Sequence, residues 1–246
     1  MVTASHNPKE DNGYKVYFAN GAQIIPPHDR GIAEEILLNL KPLPSSWETS
    51  VVESSALRTD PYDEIWTSYM DDLKKLSYYS EANSRSSLVF TYTAMHGVGY
   101  KFIVQAFKVF GFKSNFVPVK EQVEPDPEFP TVKFPNPEEG KSALELAMRT
   151  ANENGSKVIL ANDPDADRLA VAEKSASGDW LVFSGVQLGA LLCWWMIYTF
   201  KAHNKHVQGK TPRPTPPCPA LHMCSPDVSP QLVHQGPVSW SVLKTS

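Results

Sequence analysis

Three aspartates at alternate positions, Asp163, Asp165 and Asp167, punctuate the run Asn162-Asp163-Pro164-Asp165-Ala166-Asp167-Arg168. A strand that delivers such a run into a loop lets the carboxylate oxygens turn toward one point. Left uncompensated they would repel by several kcal/mol at a low effective dielectric. A hard divalent cation resolves that repulsion, and magnesium, which takes few protein carboxylates and keeps room for a phosphate oxygen, suits three monodentate aspartates. An EF-hand is excluded, because Arg168 stands where that loop needs glycine and Lys174 where it needs a bidentate glutamate. Two other readings stay open: a solvated acidic turn, and an aspartate nucleophile of the haloacid-dehalogenase kind, with Asp163 attacking and Asp165 as acid and base.

A second group lies near the amino terminus. Ser5 is followed by His6 and Asn7, then by Asn12-Gly13-Tyr14-Lys15, which places a hydroxyl, an imidazole and an ammonium around a glycine turn. By itself this is a surface-loop pattern, and it lacks the glycines of a nucleophile elbow. Other candidates are weaker. The turn His96-Gly97-Val98-Gly99 could present backbone N–H groups to a phosphate or serve structure alone. Trp194-Trp195 reads as core packing, and Cys218, His222 and Cys224 fall short of a four-ligand zinc site.

The elements that must position these groups alternate strand and helix. Tyr14–Ala19 and Ala22–Ile25 read as strands of a hairpin around Asn20-Gly21, and residues 28–40 as a helix. Asp60-Pro61 supplies a cap and a first-turn proline to a helix carrying Ile65, Tyr69, Leu73 and Leu76. That helix closes a first domain, with residues 83–87 as a polar joint. The second unit reads as a strand at residues 88–93, a helix with Phe102, Ala106 and Phe110 on one face, and a strand at residues 116–119. A helix follows from Asn136-Pro137 through Leu144, Met148 and Ala151, then a strand at residues 157–161 that feeds the acidic loop. Strands at residues 169–173 and 180–183 and an apolar helix from Val186 complete an α/β unit. The longest apolar stretch, residues 188–200, is short of the roughly 20 residues that span a bilayer and reads as a buried helix.

With 23 basic and 27 acidic residues, the formal net charge is -4. That argues against a nucleic-acid or polybasic membrane-surface partner. Three cysteines are too few for a secreted disulfide framework, and the opening residues show no secretory pattern, so a cytoplasmic location is expected. No obligate protein partner is evident. The Ser5 loop has no element before it to hold it. The last 41 residues, 206–246, hold 8 prolines, a composition that maintains neither helix nor ladder. A disordered tail and a chain cut short at both ends are the expectation.

The string Thr3-Ala4-Ser5-His6-Asn7-Pro8 together with Asp163-Pro164-Asp165-Ala166-Asp167-Arg168 resembles the α-D-phosphohexomutase family. The stretches Lys9–Tyr17, Asp126–Lys133 and Phe134–Gly140 resemble the branch that holds the eukaryotic phosphoglucomutase/phosphopentomutase enzymes and glucose-1,6-bisphosphate synthase. The resemblance implies tandem mixed-sheet α/β domains: residues 1–82 as the later part of the first, 83–205 as most of the second, and 206–246 as unrelated tail. The family's sugar-selecting loop and its Arg-x-Ser-Gly-Thr phosphate loop have no counterpart here. By the same resemblance Ser5 is the phosphoserine, and His6, Lys15, Asp167 and Arg168 contact the substrate, with Arg168 facing the phosphoserine. Ser5, Asp163, Asp165 and Asp167 ligate one Mg2+. The implied reaction interconverts hexose or pentose 1-phosphates with their 6- or 5-phosphates through a sugar bisphosphate, or makes glucose 1,6-bisphosphate. A noncatalytic fragment is the alternative that the partial coverage implies.

The proline-rich tail has few apolar anchors to offset the entropy of ordering. Limited proteolysis is therefore expected to trim the chain from about His206 onward first, leaving the preceding α/β body intact. Strong protection of residues 211–219 would contradict this.

Overall fold

The computed structural model describes residues 1–113, 116–139 and 141–204; the tail expected at 206–246 lies outside the described residues. The chain divides into two units, Met1–Val182 and a second from Phe183.

The first unit is organised by a five-stranded sheet in the order β2-β1-β3-β4-β5. Strand β1 (Phe90–Thr93) pairs in parallel with β2 (Phe116–Pro118) and β3 (Val158–Asn162). Strand β4 (Leu169–Lys174) runs antiparallel to β3, and β5 (Trp180–Val182) antiparallel to β4. The sheet is therefore mixed, and its change from parallel to antiparallel falls at the turn that carries the three aspartates.

Strand alternation sorts the two faces. Thr91, Thr93, Ile159, Ala161, Ala170 and Ala172 are buried together on one face. Against it lies the helix Lys141–Glu153, whose Leu144, Ala147 and Ala151 are fully buried in the same cluster. Numbered in chain order, this is α6. On the other face Phe90 and Phe116 meet Phe107, at ring separations of 5.4 and 4.8 Å. Phe107 belongs to α5 (Tyr100–Val109), and α5 in turn meets α3 (Tyr62–Lys75) through Trp66 and Phe102, 5.2 Å apart. The helix expected to close a first domain thus packs on the helix after β1. Between them runs an apolar groove lined by Ile65, Trp66, Tyr69, Leu73, Phe102 and Ile103.

Before α3 come α1 (His28–Leu38), a 3-10 turn at Pro44–Trp47 and α2 (Thr49–Ser54); α4 (Ser80–Arg85) runs into the first part of the polar joint expected at 83–87, making that part helical. No residue ahead of Met70 is buried. That explains the first correction. The expected strands at Tyr14–Ala19 and Ala22–Ile25 reduce to two isolated bridges, Val2 with Tyr14 and Tyr17 with Gln23. The Asn20-Gly21 turn closes, with Phe18 N–H donating to the Ala22 carbonyl at 2.8 Å. Tyr14 and Ile25, however, lie 61% and 64% exposed, and a ladder without a buried face does not propagate. A second difference is at Asn136, which accepts from Glu138 N–H at 3.0 Å; that cap starts only a 3-10 turn, Pro137–Glu139, before α6.

The second unit is described through α7 (Gly185–His203), opened by a capping box between Ser184 and Gln187. Of its expected burial only Leu188 and Thr199 are realised. Trp194 is 42% exposed and stacks on Tyr198 at 5.3 Å, and Leu192, Met196, Ile197 and Phe200 are also exposed. A helix apolar on every side needs covering on every side to be buried, and the described residues of this unit amount to the helix and its lead-in. No helix among the described residues is long and apolar enough to cross a membrane.

The core resting on α6 sets a stability prediction. Leu144 has no exposed surface, so Leu144→Ala is expected to lower unfolding free energy by about 2–5 kcal/mol. Urea denaturation followed by circular dichroism checks it; a loss well under that range would mean the face between α6 and the sheet is not the main core.

Candidate active site

The antiparallel register of β3 and β4 ends at the pair Asn162 and Leu169, and residues 163–168 between them form the acidic loop. Ala166 takes φ 60°, a left-handed conformation uncommon outside glycine, which folds the loop tightly enough to gather its side chains. Carboxylate oxygens of Asp163, Asp165 and Asp167 lie within 4.8 Å of one another.

The amino-terminal loop is brought against this cluster. Ser5, at φ 57°, directs Oγ to within 2.9 Å of Asp163 Oδ2 and 3.1 Å of Asp165 Oδ1. One hydroxyl proton can serve only one of the two at a time. His6 Nδ1 lies 3.2 Å from the same Oγ. Lys15 Nζ donates to Asp165 Oδ2 and Asp167 Oδ2, both at 3.1 Å. A further residue, which the type-and-spacing reading passed over, completes the loop: Thr3 Oγ1 accepts from Ser5 N–H at 2.9 Å and donates to Asp165 Oδ2 at 3.2 Å. Thr3 therefore holds both the strained serine and the central carboxylate. Its only sequence signal was its place in the string with Ser5.

Arg168 enters in two ways. Its N–H donates to Asp163 Oδ1 at 2.9 Å, while its guanidinium pairs with Glu138 Oε2 at 3.2 Å. Glu138, in the 3-10 turn Pro137–Glu139 ahead of α6, is thus the present partner of that cation. The backbone of His96-Gly97-Val98 is spent on structure: Gly97 N–H donates to the Ala94 carbonyl and Val98 N–H to the Pro164 carbonyl. The His96 ring meets Thr131 Oγ1 at 2.8 Å, and burial lowers its pKa. This turn supports the acidic loop from behind rather than cradling a phosphate.

The electrostatics show what the cluster lacks. Asp163 is wholly buried. Burial foremost, and then its neighbour Asp165, push its pKa up to about 6 against the Arg168 N–H and the Ser5 hydroxyl. Burial pushes Asp165 the same way, yet the Lys15 hydrogen bond and the proton shared with Asp163 carry it net below the usual carboxylate range. Lys15 is raised by its hydrogen bonds to Asp165 and Asp167, so it stays an ammonium. Three carboxylates against one ammonium leave the cluster anionic. An all-oxygen donor set with a surplus of negative charge, whose buried member Asp163 is costly to ionise without a counter-charge, suits a hard divalent cation.

A mixed sheet with helices on both faces, and a serine hydroxyl set among three aspartates at a strand-end loop, agree with comparison to known proteins. The sequence model for phosphoglucomutase/phosphomannomutase alpha/beta/alpha domain I matches residues 1–41, and that for domain II residues 67–178. The chain belongs to the phosphoglucomutase/phosphomannomutase family. It is 55% identical over 205 residues to the phosphopentomutase of Mus musculus and 53% identical over 204 residues to the glucose 1,6-bisphosphate synthase of Homo sapiens. In each case 83% of this chain and 33% of the relative are covered, so the chain spans about a third of their length. The fold matches a phosphoglucomutase/phosphomannomutase family protein of Burkholderia thailandensis with TM-score 0.56 and 22% identity, over 80% of this chain and 37% of the other.

Metal loading should depend on pH in a defined direction. Below about pH 6 the Asp163 carboxyl carries a proton that a cation must displace. Its folded-state pKa is raised, so without metal the chain loses stability as pH rises from about 4 to 6. Calorimetric Mn2+ affinity is expected to be at least tenfold weaker at pH 5 than at pH 7.5, with Asp163→Asn abolishing that dependence and raising the metal-free melting temperature at pH 7.5. A pH-independent affinity in the unsubstituted chain would contradict the assignment.

Proposed function

We propose that this chain carries the phosphoryl-transfer part of a phosphohexomutase-type site. Ser5 alternates between hydroxyl and phosphoserine, and Asp163, Asp165 and Asp167 with the Ser5 oxygen hold one Mg2+. The substrates are sugar phosphates: hexose or pentose 1-phosphates exchanged with 6- or 5-phosphates through a sugar bisphosphate, which also serves as activator, or glucose 1,6-bisphosphate as product. The observation that carries this reading is the approach of the Ser5 hydroxyl to two aspartates 158 and 160 residues away in sequence. The names of the two similar mammalian proteins support both forms of the chemistry.

When bound, the ion supplies positive charge to the phosphoryl group in transfer. The residues of the chain do the rest. As a phosphoryl group leaves the protein, its bond to Ser5 Oγ breaks, a bond to a sugar hydroxyl oxygen forms, and that hydroxyl's proton is released. His6, 3.2 Å from Oγ, is placed to take or return the serine proton. Lys15 acts through charge, since its ammonium is held protonated. Asp167, the most exposed of the three aspartates, and Arg168 face the substrate side. For Arg168 to reach a phosphate it leaves Glu138, and an exposed pair of this kind contributes only about 0–1 kcal/mol.

The division at residues 82 and 83, with the serine loop in the first part and the metal loop in the second, belongs to this proposal, as does a cytoplasmic location. The chain spans about a third of the relatives' length, and a second reading is that this stretch taken by itself binds metal and accepts phosphate but does not turn over. A sugar bisphosphate must be held at both ends while it reorients, and effective-molarity effects of about 7–11 kcal/mol depend on that grip.

Incubation with labelled glucose 1,6-bisphosphate is expected to leave acid-stable phosphate on Ser5, absent in Ser5→Ala. Mutase turnover on glucose 1-phosphate and ribose 1-phosphate should be several orders of magnitude below that of the mouse phosphopentomutase. Acid-labile, hydroxylamine-sensitive label on Asp163 would instead establish the aspartate-nucleophile phosphatase, and turnover equal to the mouse enzyme would remove the second reading.

A further inference from the structure

Behind the acidic loop lies a set of contacts to which the proposed chemistry assigns no role. The side chain of Asn162, the last residue of β3, bridges the base of the loop. Its Oδ1 accepts from the Tyr92 hydroxyl at 3.0 Å, and its Nδ2 donates to the Arg168 carbonyl at 2.5 Å. Tyr92, in the middle of β1, is 1% exposed. A phenol that donates to one end of an amide fixes which way round the amide stands. The Nδ2 group is thereby turned to the residue whose own N–H holds Asp163 Oδ1 at 2.9 Å. The chain Tyr92, Asn162, Arg168 backbone, Asp163 is continuous.

The turn after β1 closes the frame from the other side. A Cβ at Gly97 would stand 2.2 Å from Pro164 Cα and 2.4 Å from the Pro164 carbonyl oxygen. A Cβ at Gly99 would stand 2.5 Å from the Tyr92 hydroxyl and 3.3 Å from Ala166 Cβ. Only glycine lets this turn press directly on the loop while leaving the hydroxyl its place. Val98 N–H fixes the contact by donating to the Pro164 carbonyl at 2.9 Å.

We infer that Tyr92 and Asn162 are positioning residues for the metal loop: together they lock the Arg168 backbone, which holds Asp163 Oδ1, so that Asp163 Oδ2 is presented, beside Asp165, to the cation and to Ser5. The inference rests on the reading of Asp163, Asp165 and Asp167 as metal ligands. It concerns neither a ligand nor a group that touches substrate. Partners of this outer kind commonly change metal affinity about 10–100-fold when removed.

The test uses the full chain and Mn2+ alone as probe, followed by electron paramagnetic resonance, with melting temperature measured in parallel. Tyr92→Phe keeps the ring and removes one hydroxyl, and is expected to weaken Mn2+ binding about tenfold with a melting temperature near that of the unsubstituted chain. Asn162→Ala should weaken it at least as much. Because the two act through one relay, the double variant should bind no more weakly than Asn162→Ala alone. Additive losses would overturn the relay, as would unchanged Mn2+ binding in both single variants while Asp165→Ala loses it. Early melting of Tyr92→Phe would mark a purely structural residue and would overturn it too. Undiminished binding in Asp165→Ala would show instead that the metal reading itself is wrong.

Discussion

Like-charge repulsion among three carboxylates, one of them wholly buried, is the constraint around which this chain is organised. Asp163, Asp165 and Asp167 are gathered by backbone geometry that they would electrostatically oppose, and each is restrained by a donor: the Arg168 N–H, the Ser5 and Thr3 hydroxyls, and the Lys15 ammonium. Most of these donors come from a loop in which no residue is buried. The amino-terminal loop is therefore held to the sheet chiefly by the field of the acidic loop, together with the ion pair of Lys9 with Glu128. Polar attraction to the site does there the work that a hydrophobic core does elsewhere in the molecule.

That arrangement requires the acidic loop itself to be rigid, and the sheet supplies the rigidity. One face is built largely from small residues: Ala161, Ala170 and Ala172 oppose Ala143, Ala147 and Ala151 of α6, all buried. Small side chains let helix and sheet approach closely, and dense interiors transmit displacement rather than absorb it. The loop between β3 and β4 thus leaves a part of the molecule with little freedom to relax. The repulsion stays concentrated in the side chains, where a cation can answer it, instead of dissipating through backbone movement.

Much of this was legible in the residues. The alternating aspartates, the strand that delivers them and the apolar spacing of α3, α5 and α6 follow from periodicity and turn chemistry that act locally. Failures came where the outcome depended on what covers a surface. The Asn20-Gly21 turn forms, but a hairpin with no buried face stops at single bridges. The apolar sequence of α7 gives a helix but says nothing of whether its sides are covered. Thr3, Tyr92 and Asn162 were missed for another reason: each works through a contact distant in sequence, and a threonine, a strand tyrosine and a strand-end asparagine have no pattern to distinguish them. Only the glycines of His96-Gly97-Val98-Gly99 hinted at close approach, and what approaches is Pro164 rather than an anion.

The double engagement of Lys15 has a consequence for the proposed chemistry. Its ammonium bridges Asp165 and Asp167, 3.1 Å from each, and compensates part of the charge of the cluster. A divalent cation held by the three carboxylates brings twice that charge, so the demand on Lys15 falls when the cation is in place. The same carboxylates then attract the ammonium less strongly, and a phosphate dianion at Ser5 attracts it more. Lys15 can pass from an internal counter-ion to a substrate-facing one without leaving the site. Arg168, drawn from Glu138 by the same phosphate, would follow it. Arrival of the cation and of the phosphoryl group is then what converts a cluster only partly compensated by Lys15 into one whose two side-chain cations face the reacting phosphate.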